Sequence, residues 1–292
     1  MRVRVLVGVL AIGMAVAGCS SSSKSGASSP TTSPAAARPK VTVIARDYSF
    51  QVPAQIPSGY VDVTVKNEGK EDHQAQLVKL GSMTLAQFKA AGDDMSKLKP
   101  GTEFVGGPNE AVPGASTTAT LKLDPGNYAV VCFIPSSKDG KSHESKGMIK
   151  PVTVAKTADS VDVAPVADST IQLSEFTFVV PKDFNGKGMT EVTNVGGQVH
   201  EMVMFKLKPG KTLDDAKKFL LVPPGTPPPA GPPPFSPIPK IGGLTGLTPN
   251  QSAWLDLDLA PGNYMLICFF PDPAKQGLPH ALEGMVKEFT VS

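Results

Sequence analysis

Apolar and polar residues alternate with a period of two through several short segments. Val41-Thr42-Val43-Ile44, Val61-Asp62-Val63-Thr64-Val65, Ala119 to Leu123 and Ile149 to Val154 are runs of four to six residues bounded by Gly, Pro, Asn or Asp. Such runs predict strands that bury one face. Tyr128 to Phe133 is apolar on both faces and predicts a central strand. Tyr128, Val130 and Cys132 share one side of it, which points the thiol inward beside an aromatic ring. Helical periodicity is confined to two short patterns, Thr84 to Ala91 and Thr212 to Leu221. Many short strands and little helix predict an all-β protein whose natural solution is a sandwich of two antiparallel sheets.

The pattern is written twice, and the repeat sets the organisation. Tyr48-Ser49-Phe50-Gln51-Val52-Pro53 returns as Phe176-Thr177-Phe178-Val179-Val180-Pro181, and Asn67-Glu68-Gly69 before His73 returns as Asn194-Val195-Gly196 before His200. Gly106-Gly107 corresponds to Gly242-Gly243, and Asp124-Pro125-Gly126-Asn127-Tyr128 to Ala260-Pro261-Gly262-Asn263-Tyr264. Cys132-Phe133 then matches Cys268-Phe269, and His143 with Gly147-Met148 matches His280 with Gly284-Met285. Two domains are expected, over 39–155 and 169–292, joined by a linker over 156–168. The second copy has an insertion, Pro223 to Pro239, in which ten of seventeen residues are proline; it is expected to run over the surface as polyproline II.

The N-terminus changes the expected location. Arg2 and Arg4 precede an apolar stretch, Val5 to Val16, too short to span a bilayer, and Val16-Ala17-Gly18-Cys19 resembles the bacterial lipoprotein processing box. Residues 1–18 are thus expected to be a signal peptide and Cys19 the acylated N-terminus. The Ser-, Ala-, Thr- and Pro-rich residues 19–38 suit a flexible tether. The expected location is the extracytoplasmic face of the membrane in the cell envelope, with the membrane itself a partner through the lipid. Formal charge is +2, which gives no reason to expect nucleic acid.

The chemistry is concentrated in few residues. All four histidines of the chain, His73, His143, His200 and His280, occupy corresponding positions of the two copies, as do Cys132 and Cys268, and Met148 and Met285. Taken singly, the cysteines and methionines read equally well as core residues, and a Cys132–Cys268 disulfide competes for the thiols. Taken together, one thiolate, two imidazoles and a weak thioether suit a trigonal copper site, whereas zinc rarely recruits Met.

The order Asn-x-Gly, His, then Pro-Gly-Asn-Tyr, Cys, His, four residues and Met resembles the cupredoxins, or blue copper proteins, over both copies. The resemblance implies two tandem cupredoxin-like Greek-key β-sandwiches, each with a short helical insertion. It implies two mononuclear copper sites, with His73, Cys132, His143 and Met148 as metal ligands in one and His200, Cys268, His280 and Met285 in the other. One departure stands out. The family separates Cys from its second His by two to four residues, but ten intervene here in the first copy and eleven in the second. A looser, wetter site is expected from such loops.

Electron transfer or copper handling, with a redox or copper-donor protein as partner, is the function implied. A multicopper oxidase or nitrite reductase needs further histidines, and none remains once two sites are filled, so no enzyme activity is expected. A metal-free interaction module is the third reading. It would be favoured if the ligand sets failed to converge.

Overall fold

Why these residues become strands is visible in their burial. In Gly59–Asn67, Val61, Val63 and Val65 are wholly buried while the residues between them are partly exposed, as period-two alternation requires. The computed structural model describes residues 37–92, 94–222 and 229–292. The signal peptide, the tether and Cys19 lie outside the described residues.

The first copy contains β1 (Lys40–Arg46), β2 (Ser49–Gln51), β3 (Gln55–Pro57), β4 (Gly59–Asn67), β5 (Gln76–Lys79), α1 (Leu85–Ala91), β6 (Glu103–Phe104), β7 (Ser116–Leu123), β8 (Gly126–Val131) and β9 (Ile149–Ala155). The second contains β10 (Ser169–Ser174), β11 (Thr177–Val179), β12 (Lys187–Asn194), β13 (His200–Leu207), α2 (Leu213–Leu220), β14 (Phe235–Pro237), β15 (Gly243–Leu247), β16 (Ser252–Asp258), β17 (Gly262–Ile267), β18 (Pro271–Asp272), β19 (Leu278–Pro279) and β20 (Val286–Val291). Both expected helices form, each opened by a threonine capping box, Thr84 with Gln87 and Thr212 with Asp215.

One eight-stranded sheet, in the order β11-β10-β12-β16-β7-β4-β1-β2, runs through both copies and is joined where β16 pairs with β7. Each copy adds a sheet of its own: β3-β9-β8-β5-β6 in the first, and β14-β13-β17-β20 with β15 beside β13 in the second. β8 is central, between β9 and β5, as its apolar faces predict. The shared sheet and the first copy's own sheet are mixed rather than purely antiparallel, because β1 pairs β4, β10 pairs β12 and β3 pairs β9 in parallel, whereas the second copy's own sheet is antiparallel throughout. Alternation fixes which face is buried but not strand direction, and a short β2 or β11 hairpin returns the chain for a parallel neighbour.

The copies also bond through the glycine pairs. Gly106 N–H donates to Gly246 O (2.9 Å) and Thr245 N–H to Gly107 O (3.0 Å). Gly107 has φ +156°, and a Cβ there would stand 1.9 Å from the carbonyl oxygen of Ala75 in the same copy, so only glycine fits between that segment and the second copy. The proline-rich insertion departs from expectation in its second half. Phe235–Pro237 forms β14 against β13 and buries Phe235, while 223–228 lie outside the described residues. Burying one phenylalanine ring outweighs the preference of the flanking prolines for free polyproline II. Among the described residues, no helix is long and apolar enough to cross a membrane.

Candidate metal centres

Each centre is assembled from three chain segments, and the duplicated motifs explain how. Asn67 ends β4; its side-chain N–H donates to Glu71 O (2.8 Å) and Ala111 O (2.7 Å), while its Oδ1 accepts Gly69 N–H (2.8 Å). Asn194 repeats this with Gln198 O (2.7 Å), Leu247 O (2.7 Å) and Gly196 N–H (2.9 Å). The Asn-x-Gly turn therefore aims the first histidine of each copy. In the Pro-Gly-Asn-Tyr motif the ring of Tyr128 is buried and its hydroxyl donates to Asp124 O (2.8 Å); Tyr264 repeats the contact with Ala260 O (2.5 Å). This anchors the strand that ends at the cysteine.

The remaining ligand candidates are closed onto that strand by backbone bonds. Cys132 N–H donates to Met148 O (3.2 Å), Met148 N–H to His143 O (2.9 Å) and His143 N–H to Ile134 O (2.9 Å). Cys268, Met285 and His280 make the same three bonds, the last to Phe270 O, at 3.2, 3.0 and 2.9 Å.

His73, Cys132 and His143 bring one donor atom each within 4.8 Å of one another, and so do His200, Cys268 and His280. Nδ1 of His73 lies 3.1 Å from Nδ1 of His143, and Cys132 Sγ lies 3.9 and 3.4 Å from those two atoms. In the second copy Nδ1 of His200 and His280 are 3.0 Å apart, and Cys268 Sγ is 3.5 Å from His280 Nδ1. Three donors about 2 Å from one ion in a trigonal plane would be about 3.5 Å apart, so both sets fit a mononuclear copper ion. Met148 and Met285 are wholly buried in the same loops. The two cysteines are free thiols, so the disulfide alternative does not form.

The expected looser, wetter site is not what the long loops build. All eight residues of the two sets are 0% exposed. Each loop folds back as a small hairpin, with Pro135 bridging Ser142 in the first copy and β18 pairing β19 in the second. The first loop also buries Ser136, which hydrogen-bonds Glu71.

Motif reading missed the groups behind the histidines. His73 Nε2 meets Asp47 Oδ1 at 3.1 Å and His143 Nε2 meets Glu71 Oε2 at 2.8 Å. Donation from Nε2 fixes the tautomer that leaves the Nδ1 lone pair free for a metal. Corresponding positions in the second copy carry Glu175 and Gln198. His200 Nε2 lies 3.5 Å from Glu175 Oε1 without a hydrogen bond, and His280 Nε2 meets Gln198 Oε1 at 3.2 Å. A ring caps each second histidine: Tyr48 against His143 (centroids 5.1 Å apart) and Phe176 against His280 (5.0 Å). Sequence offset offered a signal, since Glu71 and Gln198 each stand two residues before the first histidine, and Asp47 and Glu175 each just before Tyr48 or Phe176.

The electrostatics keep three of the imidazoles neutral and both thiols protonated. Burial lowers the pKa of His73 and His200, and burial with the neighbouring His200 brings His280 to about 4, so these imidazoles are neutral near pH 7. Burial alone would raise Glu71, yet hydrogen bonds from His143, Ser136 and Tyr48, together with Lys138, hold it at about 2. Burial pushes the Cys132 thiol up to about 12 and Cys268 upward as well, which protects both from oxidation until a cation draws off the proton.

Comparison with solved structures finds reduced auracyanin from the photosynthetic bacterium Roseiflexus castenholzii, 21% identical over 41% of this chain and 98% of that one, TM-score 0.30. Auracyanin A, a "blue" copper protein from Chloroflexus aurantiacus, is 17% identical over 40% and 99%, TM-score 0.26. A multicopper oxidase is 13% identical over 87% and 88%, TM-score 0.25. No family model matches the chain, and no curated protein matches it.

Proposed function

We propose that this protein is an extracytoplasmic, lipid-anchored copper protein with one type 1-like mononuclear site per copy, serving electron transfer or copper handling. The observation that carries the reading is the convergence of a buried thiol and two imidazoles in each copy. His73, Cys132, His143 and Met148 would hold one ion, and His200, Cys268, His280 and Met285 the other. Copper, when bound, supplies one-electron exchange between Cu(I) and Cu(II). The chain contributes the rest. Sulfur suits the reduced ion, imidazole suits both states, and the backbone bonds around each cysteine limit rearrangement between them.

A carrier is favoured over an enzyme because the two centres use all four histidines, leaving none for a further catalytic copper. Lipid attachment at Cys19 and a protein redox or copper-donor partner complete the proposal; mass spectrometry of the exported chain, with and without Cys19→Ser, tests the lipid.

Titration of the intact chain with Cu(II), followed by visible absorption, tests the function. An intense thiolate-to-copper band saturating at two equivalents, bleached reversibly by one electron per copper and halved by Cys132→Ser or Cys268→Ser, is the expected result. No band, together with no Cu(I) uptake under reducing conditions, would overturn it.

A further inference from the structure

Between the copies lies a cavity of about 930 Å³ whose walls come from both. Phe88, Phe104 and Phe133 of the first copy face Phe205, Phe269 and Phe270 of the second, and Phe104 meets Phe270 edge to face with centroids 5.3 Å apart. Volumes of roughly 300–1,000 Å³ with apolar walls and a few polar groups are typical of small-molecule sites. The polar groups are neutral amides and a hydroxyl, from Gln74, Gln76, Asn109 and Ser142, together with three carboxyls. Asp72, Glu110 and Glu201 line the cavity, and among the described lining residues there is no Lys, Arg or His.

None of the three carboxyl groups meets a cation among the described lining residues. Burial and the nearby Asp72 and Glu201 push Glu110 up to about 8. Glu110 is also held at φ +34°, an uncommon conformation for a residue with a side chain, with its N–H bonded to Asn109 Oδ1 (2.8 Å). Glu201 is fixed by the Phe269 N–H on its Oε1 (3.0 Å). The Glu201 carboxyl is therefore positioned at the cavity wall, and the backbone that carries Glu110 is fixed beside it.

We infer that this cavity binds a small amphipathic cation: an amine or quaternary ammonium whose apolar body fills the phenylalanine chamber and whose charge is met by Glu110, Asp72 and Glu201. The phenylalanine faces add cation–π attraction to the charge of the carboxylates. Metal binding is not needed for this reading. The cavity is nonetheless one residue from both centres, because Phe133 and Phe269 follow the two cysteines and Asp72 and Glu201 adjoin His73 and His200.

Calorimetric titration at pH 8.5 of the intact chain, free of copper, with 4-phenylbutylammonium, 4-phenylbutan-1-ol and 4-phenylbutanoate separates charge from shape. The ammonium should bind, the alcohol about tenfold or more weaker, and the carboxylate not at all. Glu110→Gln should cost the ammonium about tenfold or more and leave the alcohol unchanged. Glu201→Gln provides a second variant with the same expected loss, should Glu110→Gln fail to fold. Equal affinity for ammonium and alcohol would make the cavity a neutral apolar site and overturn the inference, as would failure of all three probes to bind.

Discussion

Replacing Glu71 should weaken Cu(II) binding in the first copy and raise the reduction potential of that site. Four outer contacts orient the four histidines, and that of Glu71 with His143 is the shortest, at 2.8 Å. Loss of such a partner typically lowers metal affinity about 10- to 100-fold. Glu71→Ala, which removes both acceptor and charge, belongs near 100-fold; Glu71→Gln, whose carboxamide oxygen can still accept the Nε2 proton, belongs near tenfold. A carboxylate favours the more positive Cu(II), so its loss costs that state more than Cu(I), and the potential rises. The second copy already carries Gln198 at this position, and Glu175 stands 3.5 Å from His200 without a hydrogen bond. Its site should therefore have the higher potential in the native chain, making the first copy the electron donor and the second the acceptor. Gln198→Glu should lower that potential and tighten Cu(II). The assay is chelator-competed titration and redox titration in Cys268→Ser and Cys132→Ser backgrounds, which isolate one centre each. Unchanged affinity in folded Glu71→Ala, or equal native potentials, would refute the reasoning.

Three other outcomes are expected. Glu110 and Glu201 have folded-state pKa values raised to about 8 and about 7, so the fold binds protons that the unfolded chain releases from about pH 4.5. Their contribution is present below that pH and lost as pH rises through 7 to 8; above pH 7, where the depressed histidines are neutral in both states, the urea midpoint should fall from pH 7 to pH 8.5, and Glu110→Gln should reduce that fall. Gly107→Ala would place Cβ 1.9 Å from Ala75 O and should destabilise the fold by about 3 kcal/mol or more, whereas Gly140→Ala, with nothing nearby, should cost about 1 kcal/mol; thermal unfolding compares them. Because the Cys132 thiol is raised to about 12, Cu(II) uptake should release about one proton per site and tighten with pH, measurable in weakly buffered solution.

The two converging His-Cys-His groups were legible in the sequence because duplication aligned them at fixed offsets. Strand positions followed from period-two burial, as in Gly59–Asn67. What lies behind the histidines was not legible: Asp47 and His73 are 26 residues apart and Glu71 and His143 are 72, so only the folded sheets bring them together. The same holds for the β16–β7 junction, since nothing in the alternation of Ser252–Asp258 distinguishes a partner in its own copy from one in the other. The long Cys-to-His loops misled because their polar composition, Ser136 to Ser142, describes the tip of a hairpin rather than the buried residues at its base.

Copper K-edge X-ray absorption on the chain loaded with two equivalents tests the central claim most directly. Two imidazole nitrogens and one short sulfur around each copper are predicted, with Cys132→Ser losing one copper and the remaining copper keeping that shell. Coppers surrounded only by nitrogen and oxygen would contradict the account.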